Sequence, residues 1–304
     1  MFDIVIIGAG TAGLSAAIYA SRAGKSALVL EGKAYGGQII NTPDIENYPG
    51  IAHISGFDFA TGLYDQAKAL GAVIKMQQAL RITKADGRFL VETRRETHEA
   101  KAVILATGAK NRPLGLEKEE ALIGRGISYC ATCDGMFYRG KTVAVNGGGN
   151  TAVEDAMFLT GYCEKVYLIH RRDAFRADEK EVERLREKEN VEFVLDSVVE
   201  ALEETDGRLS GIRLKNVKSG ESSELPVGGL FIAIGQVPDN GAFQDLVDLD
   251  EKGYIIAGED LKTKTEGVFT AGDCRTKEVR QLTTAASDGA VAALAASKYI
   301  DALT

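Results

Sequence analysis

The sequence predicts an α/β protein of two similar domains, the second inserted into the first. An apolar strand, a glycine-rich turn and a helix open the chain, and the same pattern recurs from Lys141 onward. Apolar strands ending in small residues, Ile104–Gly108 and Val268–Asp273, flank the second copy, so the first domain resumes after the second. Alternating strands and helices of this kind are typical of parallel sheets covered on both faces.

The bulk properties fit two soluble domains. The chain has 304 residues, of which 45% are hydrophobic and 26% charged, and domains commonly span about 150 residues. A formal charge of −8 argues against a nucleic-acid partner, which calls for basic patches. No apolar run is long enough to span a bilayer. Because an apolar strand begins at Phe2 with no basic segment before it, we expect no secretory signal and a cytoplasmic protein.

The first glycine turn has the spacing of a dinucleotide site. Gly8 permits the tight turn, Gly10 allows the backbone to approach a pyrophosphate, and Gly13 allows the helix Thr11–Arg22 to pack closely. The free N–H groups of the helix N-terminus favour the phosphate charge. The next strand ends on Glu31, whose carboxylate suits ribose hydroxyls. The alternative is a glycine-rich turn that binds nothing.

The second turn repeats the first but differs in charge. Gly147 and Gly149 open a helix, and His170 ends the following strand; 23 positions separate Gly8 from Glu31, and 23 separate Gly147 from His170. Instead of an acid, this copy carries a basic group, namely His170, Arg171, Arg172 and Arg176. Guanidinium groups pair with a 2′-phosphate that a carboxylate would repel. The second site therefore favours NADPH; the alternative is a solvated charged loop, since acidic residues lie nearby.

Together the two copies predict two Rossmann-like dinucleotide-binding domains. We expect residues 1–111 and 243–304 to form the discontinuous first domain and residues 112–242 to form the insert, with Pro113 and Pro238 near the crossings. Asn146 departs from the pattern, because a buried strand usually ends on an apolar residue there; it either caps the turn or alters the fit of the dinucleotide.

Cys130 and Cys133 are separated by two residues, a spacing that allows both a disulfide and two thiols. Asp134 follows and is either a proton donor for exchange or a turn-former before Gly135. A zinc site would need further ligands at suitable spacings, which the other cysteines and the three histidines do not offer, so we expect no metal. Inert buried cysteines are the other alternative, and are what we expect of Cys163 and Cys274.

Taken together, these motifs resemble the low-molecular-weight thioredoxin reductases along nearly the whole chain. The shared segments are Gly8–Gly13, Gly36–Gln38, Glu46–Gly50, Ala106–Gly108, Cys130–Gly135, Gly147–Ala152, His170–Arg176, Gly272–Asp273 and Arg280–Gln281. The set is specific, whereas one member alone is not. The departure at Asn146 lies just outside these segments.

The resemblance implies FAD in the discontinuous domain and NADPH in the insert. The residues expected at FAD are Gly8, Gly10, Ala12, Gly13, Glu31, Gly37, Gln38, Asn47, Thr107, Gly108, Gly272, Asp273, Arg280 and Gln281. Those expected at NADPH are Gly147, Gly149, Asn150, Thr151, His170, Arg171, Arg172 and Arg176. A final helix opened by Arg280–Gln281 would place its positive dipole end toward a reduced flavin. Loop hydrogen bonding explains Gln38 and Asn47 equally well without a ligand.

The resemblance further implies a route for electrons. NADPH reduces the flavin, the flavin reduces the Cys130–Cys133 disulfide, and the dithiol reduces thioredoxin or a thioredoxin-like protein. Cys133 would face the flavin, Cys130 would attack the partner, and Asp134 would be the acid. A homodimer is also expected. Arg125 and Met136–Tyr138 either contact the partner or, for the aromatic residues, pack the next strand.

Four other functions compete with this interpretation. A reductase of a peroxide-reducing system often carries an extra redox domain, which the short N-terminus disfavours. A dithiol oxidase or a ferredoxin-linked reductase would not need Arg171 and Arg172. A non-catalytic dinucleotide sensor would not need Cys130 and Cys133, and replacing either cysteine would leave its output unchanged.

Overall fold

A computed structural model describes residues 1–42, 44–85 and 87–303. Its strands are β1 (Phe2–Ile7), β2 (Ala27–Leu30), β3 (Val73–Lys75), β4 (Ala79–Ala85), β5 (Arg88–Thr93), β6 (Thr97–Leu105), β7 (Ala109–Asn111), β8 (Ile127–Ser128), β9 (Thr142–Asn146), β10 (Lys165–Ile169), β11 (Val191–Val194), β12 (Ser197–Thr205), β13 (Arg208–Asn216), β14 (Ser222–Leu225), β15 (Gly229–Ile232), β16 (Gln236–Pro238) and β17 (Val268–Thr270). Its α-helices are α1 (Thr11–Arg22), α2 (Gly56–Ala69), α3 (Glu119–Leu122), α4 (Ala131–Asp134), α5 (Asn150–Thr160), α6 (Glu179–Arg186) and α7 (Leu282–Asp301).

The chain folds into two compact units. The first comprises Met1–Lys110 and Val237–Thr304, and the second comprises Asn111–Gln236. The return crossing precedes residue 237, whereas the sequence placed it at 243. Asn240 explains the difference: its side chain donates to Gly253 O and Cys274 O at 2.9 Å each, both within the first unit.

The first unit is built on a mixed sheet whose parallel part has the order β3-β2-β1-β6-β17. The hairpin β4–β5 extends it by antiparallel pairing with β6. Ile4 and Ile6 of β1 pack on the face covered by α1 and α7, whereas Val5 and Ile7 lie in the core on the opposite face. Burial on both faces explains why β1 is apolar at consecutive positions.

The second unit has a fully parallel sheet in the order β11-β10-β9-β15-β8. Helix α5 packs on one face, where Val143 and Val145 meet Ala152 and Ala156. The antiparallel sheet β12-β13-β14 contributes Ile212 and Leu214 to the core on the opposite face. The two units thus confirm the predicted fold class of two Rossmann-like domains, each containing one glycine-rich strand–turn–helix: β1 and α1 in the first unit, and β9 and α5 in the second. Within the described parts of the chain, no helix is long and apolar enough to cross a membrane.

Candidate functional site

Backbone contacts close the first glycine turn at Gly8 and Gly13 and leave it open at Gly10. Gly8 has φ +108°, and a Cβ there would lie 2.2 Å from Ala106 O. A Cβ at Gly13 would lie 1.9 Å from Gly8 O, whereas nothing lies within 4 Å of the same position at Gly10. The turn is therefore closed against the sheet at Gly8 and Gly13 and open at Gly10, as the approach of a ligand to the backbone requires.

Three further loops reach this turn from distant parts of the chain. Gly36 N donates to Ala9 O at 2.8 Å, which brings Gly37 beside Gly10. A Cβ on Gly272 would lie 2.8 Å from the Ala12 Cβ. The backbone of Ala106, which precedes Thr107 and Gly108, lies against Gly8.

The Glu31 carboxylate accepts two backbone hydrogen bonds. Its Oε2 accepts from Ala9 N at 2.9 Å and its Oε1 from Lys33 N at 2.8 Å. Each carboxylate oxygen can accept a second hydrogen bond, so these contacts orient the group without exhausting it. Glu31 therefore fixes the shape of the turn, and its carboxylate oxygens can still accept hydrogen bonds from hydroxyl groups such as those of a ribose.

The other polar residues predicted for this site are bonded to neighbouring loops. Gln38 donates from Nε2 to Ala109 O, and Thr107 Oγ1 lies 2.7 Å from Asn240 Oδ1. Asn47 Nδ2 donates to Gln281 Oε1 at 3.3 Å. Gln281 is the N-cap of α7 and forms a capping box with Thr284. The structure thus brings together Asn47 and Gln281 at the start of α7; both were predicted to contact the flavin.

Asp273 and Arg280 have buried polar atoms that lack hydrogen-bond partners among the described residues, namely Asp273 Oδ1 and Arg280 Nε. Burial raises the pKa of Asp273, and nearby Lys277 and Arg280 oppose that rise. The Arg280 guanidinium lies over the ring of Tyr254, 4.4 Å from its centroid. Buried polar groups without partners are costly, so a ligand that bonds Asp273 would remove that cost. The first unit fits a flavin dinucleotide on this observation and on the open backbone at Gly10.

The second unit repeats the closed turn. A Cβ at Gly147 would lie 2.4 Å from Ala233 O, and the position at Gly149 is open. Asn150 and Thr151 are exposed at the start of α5, and Asn150 Oδ1 accepts from Asp178 N at 3.1 Å. His170 packs on Gly148, where a Cβ would lie 2.1 Å from the ring. The His170 side chain therefore closes one side of this turn.

The predicted basic group surrounds His170. Burial lowers the pKa of His170, a backbone hydrogen bond at Ala174 opposes this, and the charges of Arg176, Arg171 and Arg172 lower it further. The ring thus favours its neutral form. The three arginines are exposed, and no salt bridge within residues 1–42, 44–85 and 87–303 uses them. Arg176 N donates to Gly148 O at 2.8 Å, which ties this segment to the turn. The donor set fits a nucleotide that carries an additional phosphate.

Cys130 and Cys133 form a disulfide with a Cα–Cα distance of 5.3 Å. The two cysteines bracket the start of α4, and both are partly exposed. Cys130 Sγ lies 3.4 Å from Thr132 Oγ1. The other two cysteines, Cys163 and Cys274, are free and buried, as predicted.

Asp134 lies within the redox turn beside a serine that the sequence analysis missed. Ser128 Oγ donates to Asp134 Oδ2 at 2.6 Å and accepts from Cys130 N at 3.1 Å. Burial raises the pKa of Asp134, and the Ser128 hydrogen bond opposes that rise. The other oxygen, Asp134 Oδ1, is buried without a partner among the described residues. A buried carboxyl that tends to hold its proton beside a disulfide is suited to proton transfer.

One more carboxylate contacts this turn and was not predicted. Glu119 accepts the hydroxyl of Tyr129 at 2.7 Å and the backbone N–H groups of Leu114, Gly115 and Leu116. The Glu119–Tyr129 contact has no local sequence signal, because it joins residues ten positions apart. On helix α5, burial and the charge of Glu154 raise the pKa of Asp155 to about 7.

Residues 136–138 were predicted either to contact the partner or to pack the next strand, and they differ in burial. Tyr138 is buried and packs edge-on against Phe231, whereas Met136 and Phe137 are exposed, at 43% and 37%. Arg125 is also exposed.

One exposed group of possible metal ligands comes together outside these sites. His53 Nδ1 lies 3.0 Å from Asp44 Oδ2 and 3.3 Å from Glu46 Oε1.

Comparison with known proteins agrees with this geometry. Residues 2–289 match the pyridine nucleotide-disulphide oxidoreductase family. The thioredoxin reductase of Treponema pallidum (strain Nichols) is 44% identical over 99% of this chain and 98% of that protein. The thioredoxin reductase of Listeria monocytogenes is 41% identical over 100% of this chain and 95% of that protein. The crystal structure of thioredoxin reductase from Streptococcus pyogenes MGAS5005 superimposes with a TM-score of 0.94, at 41% identity and 99% coverage of each chain.

Two dinucleotide-type turns and a disulfide turn define the class as a flavin-dependent disulfide reductase. The chain belongs to the pyridine nucleotide-disulphide oxidoreductase family, and within it to the low-molecular-weight thioredoxin reductases. It is therefore an oxidoreductase that uses a flavin and a nicotinamide cofactor together with a redox-active disulfide.

Proposed function

We propose that this protein is a thioredoxin-disulfide reductase that carries electrons from NADPH through FAD and the Cys130–Cys133 disulfide to thioredoxin or a thioredoxin-like protein. The observation that carries the proposal is the disulfide itself, beside the buried carboxyl of Asp134. A sensor or a structural protein has no use for a proton-holding carboxyl at a partly exposed disulfide.

The first unit would hold FAD. The open backbone at Gly10 and the N-terminus of α1 suit the pyrophosphate, Glu31 the ribose, and the unpartnered oxygen of Asp273 a hydroxyl of the flavin chain. The remaining proposed contacts are Gly8, Ala12, Gly13, Gly37, Gln38, Asn47, Thr107, Gly108, Gly272, Arg280 and Gln281. When bound, the flavin and the nicotinamide supply hydride transfer and deliver two electrons to the disulfide.

The second unit would hold NADPH. Arg171, Arg172 and Arg176 are free to pair with the 2′-phosphate, and the neutral His170 ring lies against the turn formed by Gly147 to Gly149. Asn150 and Thr151 present the N-terminus of α5 to the pyrophosphate. The arginines favour NADPH over NADH because their charge has no counterpart in NADH.

The disulfide and Asp134 would perform the exchange chemistry. Two electrons break the Cys130–Cys133 bond, and Asp134 donates a proton to the sulfur of Cys133. The Cys130 thiolate then attacks the partner's disulfide, forming a mixed disulfide and releasing one partner sulfur as a thiolate. Cys133 returns its proton to Asp134, attacks the Cys130 sulfur and re-forms the Cys130–Cys133 bond, which releases the second partner sulfur. The two partner thiolates take up one proton by way of Asp134 and one from water, and the partner leaves as a dithiol. Ser128 orients Asp134 for this transfer through its 2.6 Å hydrogen bond.

The exposed side chains of Met136 and Phe137, with Arg125 in the same unit, would form the partner surface. Apolar side chains beside an exchanging disulfide suit a protein substrate. The proposal also includes a homodimer in the cytoplasm, FAD in the unit formed by Met1–Lys110 and Val237–Thr304, and NADPH in the unit formed by Asn111–Gln236.

An anaerobic titration tests the electron donor. Flavin absorbance is followed while NADPH, or separately NADH, is added to the purified holoenzyme. We expect rapid bleaching by NADPH and uptake of about two electron pairs per chain, one for the flavin and one for the disulfide. Absence of bleaching by either nucleotide would remove NADPH as donor and favour the ferredoxin-linked or dithiol-oxidase alternatives.

Replacing arginines tests the selectivity. Each exposed arginine–phosphate pair contributes roughly 1 to 2 kcal/mol, so Arg171→Ala with Arg172→Ala should lower kcat/KM for NADPH by about 30- to 1000-fold and leave NADH unchanged. The matched control is Arg213→Ala, an exposed arginine of the same unit that pairs with Glu200. Equal losses with both nucleotides would refute the phosphate assignment.

A further inference from the structure

Asn146 occupies a position at which the two glycine turns differ. The corresponding residue of the first turn is Ile7, the last residue of β1, which is 6% exposed and packs in an apolar core. Asn146 ends β9 in the same way, immediately before Gly147, and is 9% exposed. A buried amide needs a hydrogen-bond partner in the protein, in water or in a ligand.

The backbone holds Asn146 between two neighbouring strands. Its carbonyl oxygen accepts from Ala233 N at 2.9 Å, and the next N–H, that of Gly147, donates to Ile169 O at 3.0 Å. In the sheet, Asn146 is in register with Ile169 of β10 and Ile232 of β15, and both isoleucines belong to the apolar core on one face of the sheet. The Asn146 side chain therefore projects between two apolar side chains that cannot hydrogen-bond its amide.

The side chain of Asn146 has no protein partner. Within residues 1–42, 44–85 and 87–303, no hydrogen bond involves its amide, so the interpretation that Asn146 caps the turn finds no support in the structure. The amide oxygen and nitrogen are also absent from the fully enclosed, unpartnered atoms of the described chain. The amide therefore reaches an opening that a ligand can occupy, which favours the other interpretation, contact with the dinucleotide.

Asn146 lies where the order of the strands reverses. Strands β10 and β11 lie on one side of β9, and β15 and β8 lie on the other. In open parallel sheets, dinucleotides bind outside the carboxyl ends of the strands at such a point. Asn146 is the carboxyl end of β9, whereas the basic group begins at His170, directly after β10. A dinucleotide whose 2′-phosphate binds Arg171 and Arg172 would extend across the end of β9, with its pyrophosphate beside Asn146.

We propose that Asn146 is a binding residue for the dinucleotide of the second unit and that its side-chain N–H donates to the pyrophosphate. The inference rests on the proposed function and adds a contact that neither the glycine turn nor the arginines supply. Hydrogen bonds to charged phosphate oxygens are stronger than those between neutral groups. Because NADPH and NADH share the pyrophosphate, Asn146 strengthens the binding of both, whereas the arginines distinguish between them.

Replacement by valine tests this contact. Asn146→Val gives β9 an apolar end like that of β1, and a β-branched residue suits a strand. In anaerobic reduction of the holoenzyme flavin, the nucleotide concentration that gives half the limiting rate should rise about tenfold, as loss of one hydrogen bond to a charged group gives. The rise should be the same for NADPH and NADH. The inhibition constant of 2′-AMP, which has the 2′-phosphate but no pyrophosphate, should not change.

Thermal stability separates this role from a structural one. The melting temperature of Asn146→Val should equal or exceed that of the parent, because the amide has no bond within the described chain to lose. Asn190→Val in the same unit is the matched control: the Asn190 amide donates to Thr160 O at 3.0 Å and to Cys163 O at 3.1 Å. This control should melt at a lower temperature and leave the nucleotide dependence unchanged. If Asn146→Val does not fold, Asn146→Ala removes the amide without adding a branched side chain and should weaken binding equally.

Three results would overturn the inference. The first is an unchanged half-saturating concentration for both nucleotides, which leaves NADPH-dependent thioredoxin reduction, and so the proposed function, intact. The second is weaker binding together with a lower melting temperature, as a purely structural role gives. The third is a loss confined to NADPH, which would place the contact at the 2′-phosphate. If neither nucleotide reduces the flavin of the parent protein, the proposed function fails and this inference fails with it.

Discussion

Removing the carboxylate of Asp288 should destabilise the first unit selectively. Asp288 lies on α7 and is buried. It accepts from Arg275 Nε at 2.9 Å, Arg275 Nη2 at 3.0 Å, Lys277 Nζ at 3.0 Å and Gly272 N at 2.9 Å. In Asp288→Ala, two buried cations and one backbone N–H lose this partner together, and the loop that carries Asp273 loses its attachment to α7.

The size of the effect follows from burial. The side chains of Arg275, Lys277 and Asp288 are 4%, 6% and 8% exposed, so solvent screens this network little. Breaking a buried ion pair from one side costs about 3 to 5 kcal/mol. For a unit of this size, a melting temperature falls by about 2 to 4 °C per kcal/mol, which gives a loss of about 6 to 20 °C.

Differential scanning calorimetry of the apoprotein measures this loss. The control is Asp248→Ala in the same unit, whose pair with Lys264 at 3.1 Å is exposed and contributes less than about 1 kcal/mol. Burial acts to raise the pKa of Asp288, but hydrogen bonds from Arg275 and Lys277 outweigh it and leave the pKa lowered. The hydrogen bonds and ion pairs of Asp288 therefore stabilise the folded unit fully above pH 3.8, the ordinary pKa of the group. This stabilisation is lost as the pH falls from 3.8 through the lowered pKa of the folded state. Equal melting shifts for both variants would refute the reasoning.

Three further predictions concern the turns and the exchange chemistry. In Gly8→Ala the new Cβ would lie 2.2 Å from Ala106 O, at a backbone φ of +108°, so this variant should not retain flavin, measured as flavin per purified chain. Gly24→Ala is the control, because its φ is also positive (+73°) but no atom lies near the new Cβ, and it should retain flavin. Full retention by both variants would contradict the steric argument. Asp134→Asn should slow dithiol–partner exchange by about 100-fold. Because burial raises the pKa of Asp134, wild-type activity that depends on this proton should fall as pH rises through that pKa, and the variant should lose this dependence; identical pH profiles would exclude the acid role. Phe137→Ala should raise the KM for thioredoxin about tenfold while bleaching by NADPH stays unchanged, and an unaltered KM would place the partner surface elsewhere.

Local patterns predicted the elements around the two glycine turns well. Helix α1 spans Thr11–Arg22, as predicted, and strand β10 ends at Ile169, one residue before the predicted His170. Consecutive apolar residues, glycines and their spacing act within a few positions of one another, so a local pattern suffices for these elements. These agreements confirm the fold class. They do not test the ligand assignments, which remain predictions.

Contacts between distant segments were not predictable in this way. The hairpin β4–β5 and the sheet β12-β13-β14 carry mixed patterns, because one face of each meets a core and the other meets solvent. Ser128 acquires its contact with Asp134 only when the chain folds, and Glu119 meets Tyr129 in the same way. A single sequence contains no periodic signal for such pairs. Similarly, Glu31 could be assigned to a ribose but not to the backbone of Ala9 and Lys33, which the structure reveals.

The direction of the carboxyl pKa shifts separates two kinds of acid in this chain. Asp3 and Asp288 are held below their ordinary pKa because nearby hydrogen bonds and cations outweigh burial, and both tie the fold together. Burial raises the pKa of three described carboxyls, namely Asp134, Asp155 and Asp273. A raised carboxyl pKa means that the ionised form is costly, and such groups are common where a proton or a ligand removes that cost. Asp134 lies in the redox turn, and Asp273 follows Gly272, which packs on the first glycine turn. Motifs in the sequence mark these two acids as functional, and their raised pKa values are what proton transfer and ligand binding at those positions require.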